Sequence, residues 1–186
     1  MSKLLKNIID NEYKYQEENN IWNDSIFSKI NLLKNDHSGK IGERFINNIC
    51  LENGIICEYK ENINSQNDGT YDLKIKNKRI EIKTARFGNT KTFQHENLHN
   101  GRCDYYLFMD IKPNNFYITI LQSFDLNKKC SIMNRKPHLR KGTHDIFKFD
   151  FSELNIKKSI KKGSSICISS DTISEDIIGF INTLII

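Results

Sequence analysis

Along the first third of the chain, apolar residues recur at helical spacing and do not alternate. Positions 3–20 form a polar stretch that suits a surface helix or a partly ordered arm. Trp22, Ile26, Ile30 and Leu33 then fall three or four apart, which predicts an amphipathic helix over 21–33. Asp36, His37 and Ser38 supply N-cap candidates, Ser38 foremost, for a helix running to about Glu52. Asn53-Gly54 is its stop signal, because glycine accepts the left-handed conformation that closes a helix. The pattern next shortens to strand-like runs at 55–59, 71–76, 79–83, 105–110 and 116–121, the last two separated by a turn at Lys112-Pro113-Asn114-Asn115. A polar basic stretch follows at 128–145, then a strand at 147–151 and a helix at 152–162. A strand at 166–169 and an amphipathic helix from Ser174 complete the reading. Helices on both sides of a run of strands predict an α/β domain. With no repeat and no linker, positions 1–186 read as a single domain. Its N-terminal helical part is 1–36, and 122–186 is an extension.

Composition narrows the partners. The 186 residues carry 28 Lys plus Arg against 23 Asp plus Glu, a net charge of +5 that permits nucleic acid without approaching a polybasic binder. Lys outnumbers Arg, and Asn and Ile are abundant, the mark of an AT-rich coding sequence, so the Lys surplus is discounted. At 38% hydrophobic the chain can bury a core. No run reaches the roughly 18 apolar residues of a membrane span. The stretch 177–186 is too short and is interrupted by Asn182, and the N-terminus shows no long apolar run or cleavage site. The expectation is a soluble, cytoplasmic protein with no membrane partner. The cysteines at 50, 57, 103, 130 and 167 are odd in number and form no CxxC pair, so they read as reduced, mostly buried thiols.

The most informative stretch runs from Thr70 to Lys83. Two alternating runs flank Asn77-Lys78, which suits a two-residue hairpin turn. In that register Ile75 faces Ile80, Lys74 faces Glu81, Leu73 faces Ile82 and Asp72 faces Lys83. Leu73, Ile75, Ile80 and Ile82 share the buried face, while Asp72, Glu81 and Lys83 share the other. Asp72 and Glu81 become diagonal neighbours at roughly 7–8 Å, a distance from which two carboxylates can hold one Mg²⁺. Lys83 beside them can stabilise or help deprotonate a metal-bound water, the chemistry that phosphodiester cleavage requires. The same spacing also produces a solvated strand face with cross-strand ion pairs.

A second feature weighs on that choice. On the helix before the strands, Ile41, Phe45, Ile49, Ile46 and Cys50 form an apolar arc, with Glu43 at its Cys50 edge, where it can lean toward the sheet. Gly42, inside the arc, allows helix and strand to approach closely. An acid in a first helical turn also serves the helix dipole.

With these residues in view, the chain resembles the PD-(D/E)XK nuclease superfamily, and within it the small type II restriction endonucleases. The likeness spans roughly positions 38 to 121. It consists of Gly39-x-x-Gly42-Glu43 on a helix, Asp72 on one strand, and Glu81-Ile82-Lys83-Thr84-Ala85-Arg86 on the next. Phe93-Gln94 and the apolar strand 104–111 follow. Tyr71 stands where the superfamily motif has Pro. The resemblance implies a mixed central sheet flanked by helices and Mg²⁺-dependent hydrolysis of double-stranded DNA. It implies Asp72 and Glu81 as metal ligands, Lys83 as the catalytic lysine and Glu43 as a supporting acid.

Two polar stretches offer DNA contacts: 84–102, with Arg86, Asn89, Lys91, Thr92, Gln94, His95, Asn97, His99 and Arg102, and 134–144, with Arg135, His138, Arg140 and Lys141 among its donors. Arg and Lys reach guanine edges or phosphates, and Asn and Gln read adenine. Each stretch read alone is also an ordinary solvated loop. His95-x3-His99-x3-Cys103 has zinc-like helical spacing, but Gly101 interrupts the helix and a fourth ligand is lacking. The sequence thus predicts a type II restriction endonuclease, acting as a homodimer because a duplex cutter needs two sites. The alternatives are a structure-specific repair or recombination nuclease, such as a junction resolvase, and a non-catalytic DNA-binding module.

Overall fold

Alternating and continuous apolar runs sort the strands into two layers. The computed structural model describes residues 2–18, 20–59, 71–88 and 91–185. Its helices are α1 (Ser2–Glu18), α2 (Asn35–Glu52), α3 (Glu153–Lys161) and α4 (Ser174–Leu184). The strands are β1 (Cys57–Tyr59), β2 (Leu73–Ile75), β3 (Lys78–Arg86), β4 (Thr92–Leu98), β5 (Tyr105–Ile111), β6 (Phe116–Gln122), β7 (His138–Leu139), β8 (Phe147–Ser152) and β9 (Ser165–Ile168). A six-stranded mixed sheet has the order β1-β2-β3-β5-β6-β9, and a three-stranded sheet the order β4-β8-β7. The fold is mixed α/β, as the alternation of patterns predicts.

Among the described strands only β3 and β5 run parallel. A parallel pair needs a crossover, and here it is made by β4, which leaves the main sheet to pair with β8. β5 is buried along its whole length because it is covered on both faces. On one face, Ile80 and Ile82 of β3 join Leu73, Ile75 and Leu107 beneath Ile46, Ile49 and Cys50 of α2 and Ile177 and Ile181 of α4. On the other, Ala85, Tyr106, Phe108 and Tyr117 meet Phe93, Phe147, Phe149 and Phe151 of the second sheet.

Four sequence expectations are corrected. The segment 21–33 is turns and a short 3-10 helix, Ser28–Leu32. Trp22 and Ile30 are buried as the pattern required, but Ile26 is 69% exposed, because the segment wraps the body through those two anchors. Ser25 fastens it by donating to the Pro113 carbonyl. The second correction is the start of α2, at Asn35 with Lys34 in the capping position. Ser38 does not cap it, since its hydroxyl donates to the Lys34 carbonyl (3.3 Å) within the first turn. The third is the hairpin turn, which falls on Lys76-Asn77, both at positive φ (49° and 65°), not on Asn77-Lys78. Leu73 therefore pairs Ile80, Lys74 pairs Arg79 and Ile75 pairs Lys78. A turn with both central residues left-handed matches strand twist, and Asn tolerates that geometry well. The slip moves every partner by two positions, so the assignment of faces survives. Finally, the polar stretch after β3 is not loop throughout, because it contains β4, whose Phe93, His95 and Leu98 point inward. Asn89 and Thr70 lie outside the described residues.

Candidate active site

β2 spans three residues and β3 nine, so pairing with β2 ends at Ile80 and the second half of β3 faces a cavity of about 760 Å³. Glu43, Asp72, Ile82, Lys83, Thr84 and Arg86 line it, together with Gln94, Glu96, Asn97 and Arg140. Asp72 sits just before β2. Its N–H donates to the Ile80 carbonyl (3.0 Å), and its Oδ2 accepts from the Ile82 N–H (2.7 Å). Both bonds hold Asp72 against β3 just beyond the last paired residues, Leu73 and Ile80.

Glu81 and Lys83 leave β3 on the face shared with Ala85, Tyr106 and Phe108, as strand alternation requires. Lys83 Nζ lies 2.5 Å from Glu81 Oε1, with the two side chains 20% and 16% exposed. Glu43 comes from the other side of the sheet edge. Its Oε2 accepts a hydrogen bond from the Tyr59 hydroxyl at 3.4 Å. Gly42 makes that approach possible. A Cβ there would overlap Thr84 Oγ1 and lie 3.1 Å from Ile82 Cγ2. The Thr84 hydroxyl in turn donates to the Gly39 carbonyl (3.2 Å), stitching the first turns of α2 to β3.

A smaller cavity of about 180 Å³ lies beside Glu81 and is lined by Lys83, Asn97, His99, Arg102, Cys103 and Tyr106. Lys83 and Asn97 border both cavities, so Glu81 opens on the small one and Asp72 on the large one, with Lys83 between them. Burial first, and then the Glu81 carboxylate, push the Cys103 thiol up to about 12, so it stays protonated.

Among the sequence-predicted DNA contacts, the structure brings Arg86, Thr92, Gln94, Asn97 and Arg140 into the large cavity. Arg86 Nη1 also donates to the Ile30 carbonyl (3.0 Å), and Arg140 Nη1 to Asn97 Oδ1 (3.3 Å). Lys91, His138 and Lys141 are exposed outside it. Arg135 is half-buried in the bridge to Cys130. His99 and Arg102, named in the polar stretch, line the smaller cavity. Tyr59 was not singled out as a site residue, because its contact with Glu43 comes from a distant strand that spacing does not show.

The zinc spacing is dissolved by β4. His95 is 1% exposed, its Nε2 sits 2.8 Å from Asp110 Oδ1, and its ring lies between Phe108 and Phe151. Among the described residues no three or more His, Cys, Asp or Glu side chains converge as a metal cage. No helix there is long and apolar enough to cross a membrane.

No family model and no curated protein matches the chain. Among solved structures, a bacterial homing endonuclease is similar over 53% of this chain and 84% of its own, with 11% identity and a TM-score of 0.37.

Proposed function

We propose that the protein is a Mg²⁺-dependent endonuclease that hydrolyses phosphodiester bonds of double-stranded DNA at a specific site, in the manner of a type II restriction enzyme. One observation carries this reading. Asp72, Lys83 and Glu43 share a cavity along the second half of β3 with Arg86, Gln94, Asn97 and Arg140, and Glu81 pairs with Lys83 at its border.

The donor chemistry fits the metal. Asp72 and Glu81 are hard oxygen donors, and Mg²⁺ is held by one or two carboxylates while keeping its waters. Asp72 and Glu81 would hold it, and when bound it supplies neutralisation of phosphate charge and a more acidic water. The rest falls to the chain. The Ile82 N–H fixes the Asp72 carboxylate, which leaves it little conformational freedom to lose. Lys83 places a positive charge where negative charge develops on the phosphate, and its contact with Glu81 fixes its position. Glu43, held by Tyr59, acts from the rim. Gln94, Asn97, Arg86 and Arg140 present donors and acceptors suited to base edges and phosphates along the same opening. One site per chain cuts one strand, so cutting both requires two copies.

The test is plasmid digestion in Mg²⁺. Discrete bands are expected from the wild type, and loss of cutting from Asp72→Ala, Glu81→Ala and Lys83→Ala. Intact cleavage in all three variants would remove the site. Cutting confined to branched DNA would favour a structure-specific nuclease, and binding without cutting a DNA-binding module.

A further inference from the structure

Seventeen residues of α1 form an amphipathic helix that its own chain leaves largely uncovered. Leu5, Ile8, Ile9 and Tyr13 form one apolar stripe at helical spacing, and each is between 50% and 64% exposed. Among the described residues no helix or strand packs along α1. Beside it runs a groove of about 980 Å³, bordered by Ile8, Ile9, Glu12 and Tyr13 and walled on the body side by Trp22 and Phe87. Helices of this length draw most of their stability from packing an apolar face. Exposed patches of this kind mark interaction sites.

We propose that this stripe docks onto the same stripe of a second copy, with the two α1 helices antiparallel about a two-fold axis. Charge selects the occupant. Residues 2–9 contain basic but no acidic residues, whereas residues 10–18 contain Asp10, Glu12, Glu17 and Glu18 against Lys14. An antiparallel pair sets the basic half of each helix on the acidic half of the other. This is the self-complementarity that a two-fold interface demands. With the axis at Ile9, Leu5 lies opposite Tyr13 and Lys6 opposite Glu12 of the other copy. Area supports the same occupant. Leu5, Ile8, Ile9, Tyr13 and the neighbouring Ile21 are each at least half exposed, and a second copy covers all five together, as part of the ~800 Å² per partner of a standard interface. The groove also shares Arg86 and Gly88 with the candidate active-site cavity, so the dimer would set its two sites on either side of α1. The interface stands on these observations and does not depend on the nuclease reading.

Light scattering coupled to size exclusion, on the full chain without DNA, reads the outcome as mass. The wild type is expected at twice 21.8 kDa and Ile9→Glu at 21.8 kDa, with unchanged circular dichroism. Lys6→Glu is expected to raise the dissociation constant about tenfold or more, and Lys6→Glu with Glu12→Lys to restore it. Both positions are surface charges, so this pair decides the matter even if Ile9→Glu fails to fold. A monomeric wild type overturns the proposal. So does a dimer indifferent to Ile9→Glu, or a double charge reversal that restores nothing. A dimer that never cuts DNA leaves the interface standing and sinks the nuclease reading, and a monomer that cuts does the reverse.

Discussion

The two faces of β3 are built from different materials. The α2 face is mainly aliphatic, a cluster dominated by Ile and Leu that also holds Trp22, Tyr59, Tyr105, Met109 and Phe116. It has one steric demand, at Gly42, where the helix meets Thr84 and Ile82. The opposite face is aromatic. Phe108, Phe149 and Phe151 pack edge to face at centroid distances of 4.5–6.1 Å, and the buried pair His95–Asp110 sits among them. Glu81 and Lys83 stand at the end of that second face, where the aromatic packing gives way to the cavities. The aliphatic face therefore positions, and the aromatic face carries charge. Aromatic edges and a fixed hydrogen bond tolerate buried polar groups that an aliphatic cluster would penalise.

Four measurements sharpen or break this contrast, ordered by expected effect. Lys83→Ala and Asp72→Ala should lower cleavage by about 10³-fold or more, roughly 4 kcal/mol of transition-state stabilisation. Glu43→Ala, at the rim, should lose less. A large stability loss in Lys83→Ala would mean that the charged end of the aromatic face is structural.

His95→Leu comes next. It leaves Asp110, fully buried, without its partner, and removal of one member of a buried pair costs about 3–5 kcal/mol. Burial pushes the Asp110 carboxyl above its usual range, and His95 opposes that shift. The double variant His95→Leu with Asp110→Leu should recover more than half of the loss in urea unfolding. Failure to recover would show that the pair is not an isolated unit.

On the aliphatic face, Gly42→Ala forces α2 away from β3 and should cost about 1–3 kcal/mol, as overpacking does. Thr84→Ala added to it should restore part of that loss by removing the overlapping hydroxyl. The smallest effect is electrostatic. Asp104 accepts from the Arg79 backbone N–H (2.8 Å) and from its guanidinium (3.1 Å). These bonds hold its carboxyl below the usual range. The folded state therefore binds this proton less readily than the unfolded state. The contribution is complete above the unfolded pKa and is lost as pH falls through the folded one. Asp104→Asn should flatten the acid slope of stability by a small amount, since the pair is partly exposed. An unchanged slope would remove Asp104 from the acid response.

Most elements were legible because their periods were unambiguous. The β5 and β6 runs, the turn at residues 112–115, the stop at Gly54 and the helix after Ser152 all follow from local pattern. Ser152 caps α3 by accepting from the Asn155 N–H (3.3 Å). The sharing of one face of β3 by Glu81 and Lys83 was also legible, since alternation fixes it whichever turn is used. The 21–33 segment misled because two buried anchors at Trp22 and Ile30 mimic a helical stripe. β4 was hidden because its outward residues are polar and only Phe93, His95 and Leu98 point inward.

By itself the sequence determined which side chains belong to which face, because side-chain direction follows from period alone. It also determined the close approach at Gly42, where the absence of a Cβ is a property of the residue. The tertiary structure decided the hairpin register and the short pairing of β2 with β3, which ends at Ile80. It also decided the pairing of β4 with β8, which turns a zinc-like spacing into a buried His95–Asp110 pair and carries Gln94 and Asn97 to the cavity. Those outcomes depend on contacts between residues far apart in the chain, whose energies no local window contains.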